Sequence, residues 1–152
     1  MKNYKIRKAK AADLNWIVKS QMEMAFESEK LKLHLPTLRK GVQHILKNSQ
    51  AGNYWIVTDS NGNNVGMCLC LYEWSDWRNR NILWVHSVWV EKEHRKKGIF
   101  KMLYGHLQTL VKKSSRLGGI RLYVDKKNVN AQQVYKNLEM NNEHYELFEW
   151  MK

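Results

Sequence analysis

Read for apolar and polar positions alone, the chain changes period several times. Tyr4-Lys5-Ile6-Arg7 alternates as a short strand does. Leu14, Ile17, Val18, Met22, Ala25 and Phe26 then recur at three- and four-residue steps, which predicts a helix with these residues on one side. Asp13 adds favourable negative charge to its first turn. Pro36 and Thr37 open a second helix carrying Leu38, Val42, Ile45 and Leu46, and it stops in the Gly-, Ser- and Asn-rich stretch from Asn48 to Asn53. Tyr54 to Thr58 and Val65 to Trp74 read as strands. Between them, Asp59 to Asn64 holds an Asn-Gly pair, so a hairpin is predicted.

The pattern is strongest from Ile82 to Val111. Ile82 to Val90 is apolar or aromatic except for His86 and Ser87, and predicts a largely buried strand. From Ile99 the period becomes helical, with Ile99, Met102, Leu103, Leu107, Leu110 and Val111 on one stripe and Lys101, Gln108, Lys112 and Lys113 turned away. The loop between them is cationic and ends in Gly98. Free N–H groups at the helix start, the positive end of its dipole and the charges of Arg95, Lys96 and Lys97 together suit an anion, most naturally phosphate. Gly118-Gly119 reads as the end of an element and Ile120 to Val124 as a further strand. A helix separates it from Ile82 to Val90, so the two strands are expected to run parallel through a right-handed crossover, with a ligand at their C-terminal ends beside Gly98. His144 to Trp150 alternates and predicts a closing strand.

Composition narrows this picture. The 152 residues suit one domain, 43% of them are hydrophobic, and there is no internal repeat or low-complexity tract. The net charge of +12 keeps the chain soluble or draws it to phosphates, nucleic acid or an acidic surface. Screening over about 8 Å leaves only clustered cations effective: Arg95 to Lys97 with Lys101, and Lys112 with Lys113. Phosphate groups on a ligand would suit the first cluster, which makes nucleic acid unnecessary. Cys68 and Cys70 are expected on opposite faces of their strand, as reduced core thiols. No apolar run approaches the ~20 residues of a membrane span and no charged-then-apolar leader stands at Met1, so a cytoplasmic protein without a membrane partner is expected. The six His residues lack ligand spacing, so no metal is called for. No Gly-x-Gly-x-x-Gly follows a strand, which disfavours a nucleotide-binding dehydrogenase.

Arg95-Lys96-Lys97-Gly98-Ile99-Phe100 resembles the pyrophosphate loop of the GNAT superfamily of acyl-CoA-dependent N-acetyltransferases: Arg or Gln, two residues, Gly, one residue, then Gly or Ala. Phe100 departs from it, since a small residue is usual there. About 35 residues on, Asn128 to Met140 resembles the family's segment of Asn, two residues, Ala, three residues, Tyr and then a Gly-hydrophobic pair. Asn128, Ala131 and Tyr135 are in register, and Glu139 stands where Gly is usual.

The resemblance implies an α/β (α+β) GNAT fold, a central twisted mixed sheet of about six to seven strands flanked by about four helices, in one domain over residues 1–152. It implies acetyl transfer from acetyl-CoA, as acyl-donor cosubstrate, to a primary amine by direct attack in a ternary complex. By the same resemblance, the backbone of Val88, Trp89 and Val90 serves the pantetheine, Arg95, Lys96, Lys97, Gly98, Ile99 and Phe100 the pyrophosphate, and Asn128 and Ala131 complete the cofactor-binding set. Tyr135 would protonate the leaving thiolate; the other reading is a phenol satisfied structurally. Ile82 to Val90 is similar to the strand that carries an acidic pair in polyamine and thialysine acetyltransferases. Here His86-Ser87 replaces the pair, so His86 is the candidate base, with Glu73 as the substitute. Glu27 and Glu29 would hold a cationic amine unless they are simply solvated, and Trp74 beside Glu73 would line the acceptor cleft unless it packs on the sheet edge. The acceptor stays open between a small molecule, a peptide terminus and a lysine, and a homodimer also stays open. The alternative is a non-catalytic basic module that binds CoA or nucleic acid.

Overall fold

The computed structural model describes residues 3–152, so the reading at Met1 lies outside the described residues. The apolar runs in the middle of the chain pair with one another into a sheet of order β1-β2-β3-β4-β5. These are β1 (Lys5–Lys8), β2 (Gly52–Thr58), β3 (Asn64–Ser75), β4 (Arg80–Val90) and β5 (Leu117–Leu122). The helices are α1 (Leu14–Glu29), α2 (Leu35–Lys47), α3 (Ile99–Lys113) and α4 (Val129–Lys136). Two compact units are distinguished, Met1–Arg121 and Leu122–Lys152.

In the first unit β1 to β4 are antiparallel neighbours, with Ile6 opposite Val57, Ile56 opposite Met67 and Met67 opposite Trp89. Side chains alternate across a strand, so one face presents Tyr54, Ile56, Met67 and Trp89, which pack with Ile17 and Val18 of α1 and Val42 of α2. On the other face α3 lies against the sheet, where the His106 ring meets the edge of Trp55 at 4.4 Å. Met22 and Phe26 do not join the buried stripe of α1; they are 37% and 52% exposed. The buried positions include Gln21 instead, whose amide donates to the Tyr54 hydroxyl at 3.3 Å and so satisfies both polar groups.

Cys68 and Cys70 share a face, with their sulfurs 3.9 Å apart, and both are buried. The expectation of opposite faces is corrected: alternation has a period of two, so residues two apart point the same way. Contact with Cys70 and burial push the Cys68 thiol well up from its ordinary pKa.

Gly118 and Gly119 also read differently in three dimensions. They lie inside β5 rather than ending an element, and a Cβ on Gly118 would fall 3.4 Å from Cβ of Arg80. The Asn81 N–H donates to the carbonyl of Arg116 at 2.9 Å, so β4 and β5 begin at the same end of the sheet, as parallel strands do.

In the second unit α4 is the only regular element. The predicted strand from His144 to Trp150 does not form, so among the described residues the sheet has five strands rather than six or seven. Alternation gives a segment strand propensity, but a strand needs a hydrogen-bonded partner, and Leu122–Lys152 contains no second strand to supply one.

One polar cluster fixes the start of the chain. Arg7 forks onto Asp13 with two bonds of 2.8 Å, Asn64 donates to the same carboxylate at 3.1 Å, and the Lys10 N–H at 2.7 Å. The bond from Arg7 leads the causes that lower Asp13 from 3.8 to about 2. A carboxyl depressed on folding contributes stability that is complete above the unfolded pKa and is lost as pH falls through the folded one, here between about 4 and 2. By that shift the contribution is about 2 kcal/mol. Asp13→Asn is therefore expected to melt about 4–8 °C below the parent at pH 7. The gap should close on approach to pH 2 when followed by circular dichroism; a gap independent of pH would contradict the assignment.

Candidate functional site

The loop between β4 and α3 is shaped by its own backbone. Lys96 and Gly98 have φ of 59° and 77°, in the left-handed region, on either side of Lys97. Gly98 precedes the first residue of α3 with no side-chain cap, and among the described residues the N–H groups of Gly98 and Ile99 have no acceptor. Such successive free N–H groups at a helix start form an anion cradle. Gly66 of β3 holds that helix start close to the sheet: a Cβ there would meet Ile99 Cγ2 at 3.0 Å. An isolated Gly inside a strand was the signal available for this approach. Lys96 and Lys101 are exposed near the cradle, while the Lys97 ammonium turns back to the carbonyl of Glu93. The ring of Phe100 stacks along the helix on Tyr104 at 6.2 Å and 25°. The bulky residue thus follows the side of α3.

Arg95 is held from several sides. Its Nε donates to the Val90 carbonyl at 2.9 Å, Nη1 and Nη2 fork onto the two carboxylate oxygens of Glu27 at 2.6 and 3.1 Å, and the guanidinium lies 4.9 Å from the Trp89 ring centre. The bond from Arg95 holds the Glu27 carboxyl below its ordinary pKa. Glu29, two residues on, is exposed.

Glu73 is also engaged with the protein's own groups. It accepts from the indole N–H of Trp84 and, at 3.2 Å, from Arg121. Trp84 and Arg121 were not singled out by sequence reasoning, since strand pairing and β5 bring them to Glu73 from 11 and 48 residues away. Trp74, next to Glu73, is 58% exposed.

His86 occupies a special place in β4. Leu69 pairs with Ser87 and Cys70 with Val85, which leaves His86 as the extra residue of a β-bulge. Desolvation lowers its pKa, so the imidazole is neutral at neutral pH and able to accept a proton. Beyond the bulge, Val88, Trp89 and Val90 pair with β3 on one edge. On the other edge β5 is the neighbour of β4, and the Asn81 N–H donates to the residue just before β5.

In the second unit Asn128 caps α4, its side-chain oxygen accepting from the Ala131 N–H at 3.1 Å. That bond explains the Asn-x-x-Ala spacing locally. Tyr135 is half-buried, and burial raises its phenol pKa, keeping it protonated. The helix closes with Met140 N–H donating to the Tyr135 carbonyl at 3.1 Å and Glu139 at φ 63°. Glu139 thus adopts the conformation that glycine favours at this position. Glu139→Gly is expected to stabilise the α4 terminus by about 0.5–1 kcal/mol, seen as slower amide exchange in α4. Faster exchange would contradict that reading.

Among the described residues, no group of three or more His, Cys, Asp or Glu side chains could hold a metal ion, and no helix is long and apolar enough to cross a membrane.

Comparison with known proteins agrees with this geometry. Residues 14–140 match the acetyltransferase (GNAT) family. The fold superposes on a possible acetyltransferase from Clostridium difficile 630 with a TM-score of 0.92 and 38% identity, covering 98% of this chain and 97% of that one. A ribosomal-protein-alanine N-acetyltransferase from Brucella melitensis biovar Abortus 2308 shares the fold at TM-score 0.77 and 15% identity, over 98% and 100% of the two chains. So does the aminoglycoside N-acetyltransferase AAC(6')-Iy in complex with CoA, at 0.79 and 12%, over 100% and 97%. No curated protein matches the chain. A family match over most of the length, together with a close structural relative, establishes that this chain belongs to the acetyltransferase (GNAT) family and is an acyltransferase.

Proposed function

We propose that residues 1–152 act as a single domain that transfers an acetyl group from acetyl-CoA to a primary amine by direct attack in a ternary complex. The observation that carries this reading is the anion cradle at the start of α3, with Lys96 and Lys101 near it, which suits the pyrophosphate of the donor. The backbone of Val88, Trp89 and Val90 takes the pantetheine amides. An alkyl ammonium has a pKa near 10.4 and must lose a proton before it attacks. His86 takes that proton, directly or through water. The nitrogen lone pair then forms the C–N bond at the thioester carbonyl, the C–S bond breaks, Tyr135 gives its proton to the thiolate, and the surplus proton on the acylated nitrogen restores the Tyr135 phenol. Support for an amine acceptor comes from the folds shared with an aminoglycoside and a ribosomal-protein-alanine N-acetyltransferase. The acceptor class is a small molecule, a peptide terminus or a lysine.

The test is thiol release from acetyl-CoA across a panel of polyamines, aminoglycosides and peptides, with calorimetry for donor binding. Saturable release with one amine class supports the reading. Absence of acetyl-CoA binding, with salt-sensitive binding of DNA between 50 and 200 mM salt, would replace it with a non-catalytic basic module.

A further inference from the structure

Two features of the first unit are far apart in sequence and joined in space: the last turn of α1 and the loop that opens α3. The link is the forked pair from Arg95 to Glu27, 68 residues apart. Arg95 is the loop's first residue by the family pattern, and the obvious role for its charge is to face a phosphate. Its geometry points elsewhere. The guanidinium spends Nε on the carbonyl that ends β4 and two further N–H groups on one carboxylate, and it lies against the Trp89 ring. A planar fork held by acceptors on two sides and an aromatic neighbour has few rotamers left. Its positive charge is also matched by the carboxylate.

We propose that Glu27 is a positioning residue for the acyl donor: through Arg95 it fixes the loop whose N–H groups receive the pyrophosphate, rather than binding the amine. The inference rests on the donor site proposed above. Arg95 then acts as a strut, and the exposed cations Lys96 and Lys101 supply the charge that meets phosphate.

The sign of the expected effect separates this role from simple charge. Glu27→Gln makes the loop one charge more positive, so electrostatics alone predicts tighter binding of a polyanionic donor. Loss of the fork loosens the cradle and predicts weaker binding. The added charge is partly exposed and screened by salt, so order is expected to win. Glu27→Gln should raise the Kd and KM for acetyl-CoA about five- to tenfold, while kcat at saturating donor and the KM of the amine change by less than about twofold. Arg95→Lys, which keeps the charge but cannot fork, should weaken donor binding similarly. Calorimetry with acetyl-CoA at 150 mM salt, together with steady-state kinetics, reads all of these, and melting curves of each variant verify folding. If the parent does not bind acetyl-CoA, the donor site itself is wrong. If the parent binds and Glu27→Gln binds equally or more tightly, or if the amine KM alone rises, the strut is wrong and the donor site stands. Should Glu27→Gln fail to fold, Arg95→Lys decides by the same criterion.

Discussion

Replacing Tyr135 by Phe is expected to lower the rate of acetyl transfer at saturating donor by about tenfold or more and to leave acetyl-CoA affinity within about twofold. The substitution removes one oxygen and keeps the ring, so the packing of a half-buried side chain is conserved. What disappears is a proton on an atom whose pKa burial raises. A phenol held in its neutral form suits an acid for a departing thiolate, because it stays loaded across the pH range in which the amine is being deprotonated. If the rate is unchanged, Tyr135 is structural and another donor meets the sulfur. If kcat and donor affinity fall together, the variant has disturbed the site and Tyr135 has no separable chemical role. Thiol release under single-turnover conditions, which isolates transfer from product loss, is the measurement that decides.

Gly52→Ala is expected to be the most damaging single-methyl change to stability. A Cβ at Gly52 would lie 2.3 Å from the Cys70 carbonyl oxygen and 2.7 Å from Leu71 Cδ2. The first obstacle is backbone and cannot rotate away, so β2 and β3 must separate where Gly52 pairs with Leu71. Over-packing of this kind costs about 3 kcal/mol, or about 6–12 °C in melting temperature for a chain of this length. Gly41→Ala is the control. Gly41 lies within α2 with nothing within 4 Å of an added Cβ, so alanine there should raise the melting temperature slightly. Equal shifts for the two variants would show that the contact at Gly52 relaxes freely.

How much of this was legible in the sequence depends on the range of the interaction responsible. The loop ending in Gly98 and the helix after it were readable because a left-handed glycine and a three-to-four-residue stripe are local signals. The role of Glu27 was not. A carboxylate at a helix end looks the same whether it faces solvent, an ammonium ion or an arginine 68 residues away. Glu73 is a similar case: its partners Trp84 and Arg121 arrive through strand pairing and β5. Met22 and Phe26 fitted the helical stripe and are nevertheless exposed, because Gln21 fills the inner position by bonding to Tyr54. The segment from His144 to Trp150 shows the reverse limit, an alternation that is necessary for a strand but not sufficient for one. At Glu139 the sequence signalled a departure from the usual glycine, and the backbone adopts the glycine-like turn all the same.

The paired sulfurs beneath α3 have a practical corollary. Both Cys68 and Cys70 are only 1% exposed, and they are the chain's entire complement of cysteine. A chromogenic disulfide reagent added to the native enzyme should therefore stay colourless until coenzyme is liberated, giving a continuous optical trace of turnover with almost no blank. The same reagent in denaturant should develop two equivalents per chain, so one cuvette can report both catalysis and the opening of the core.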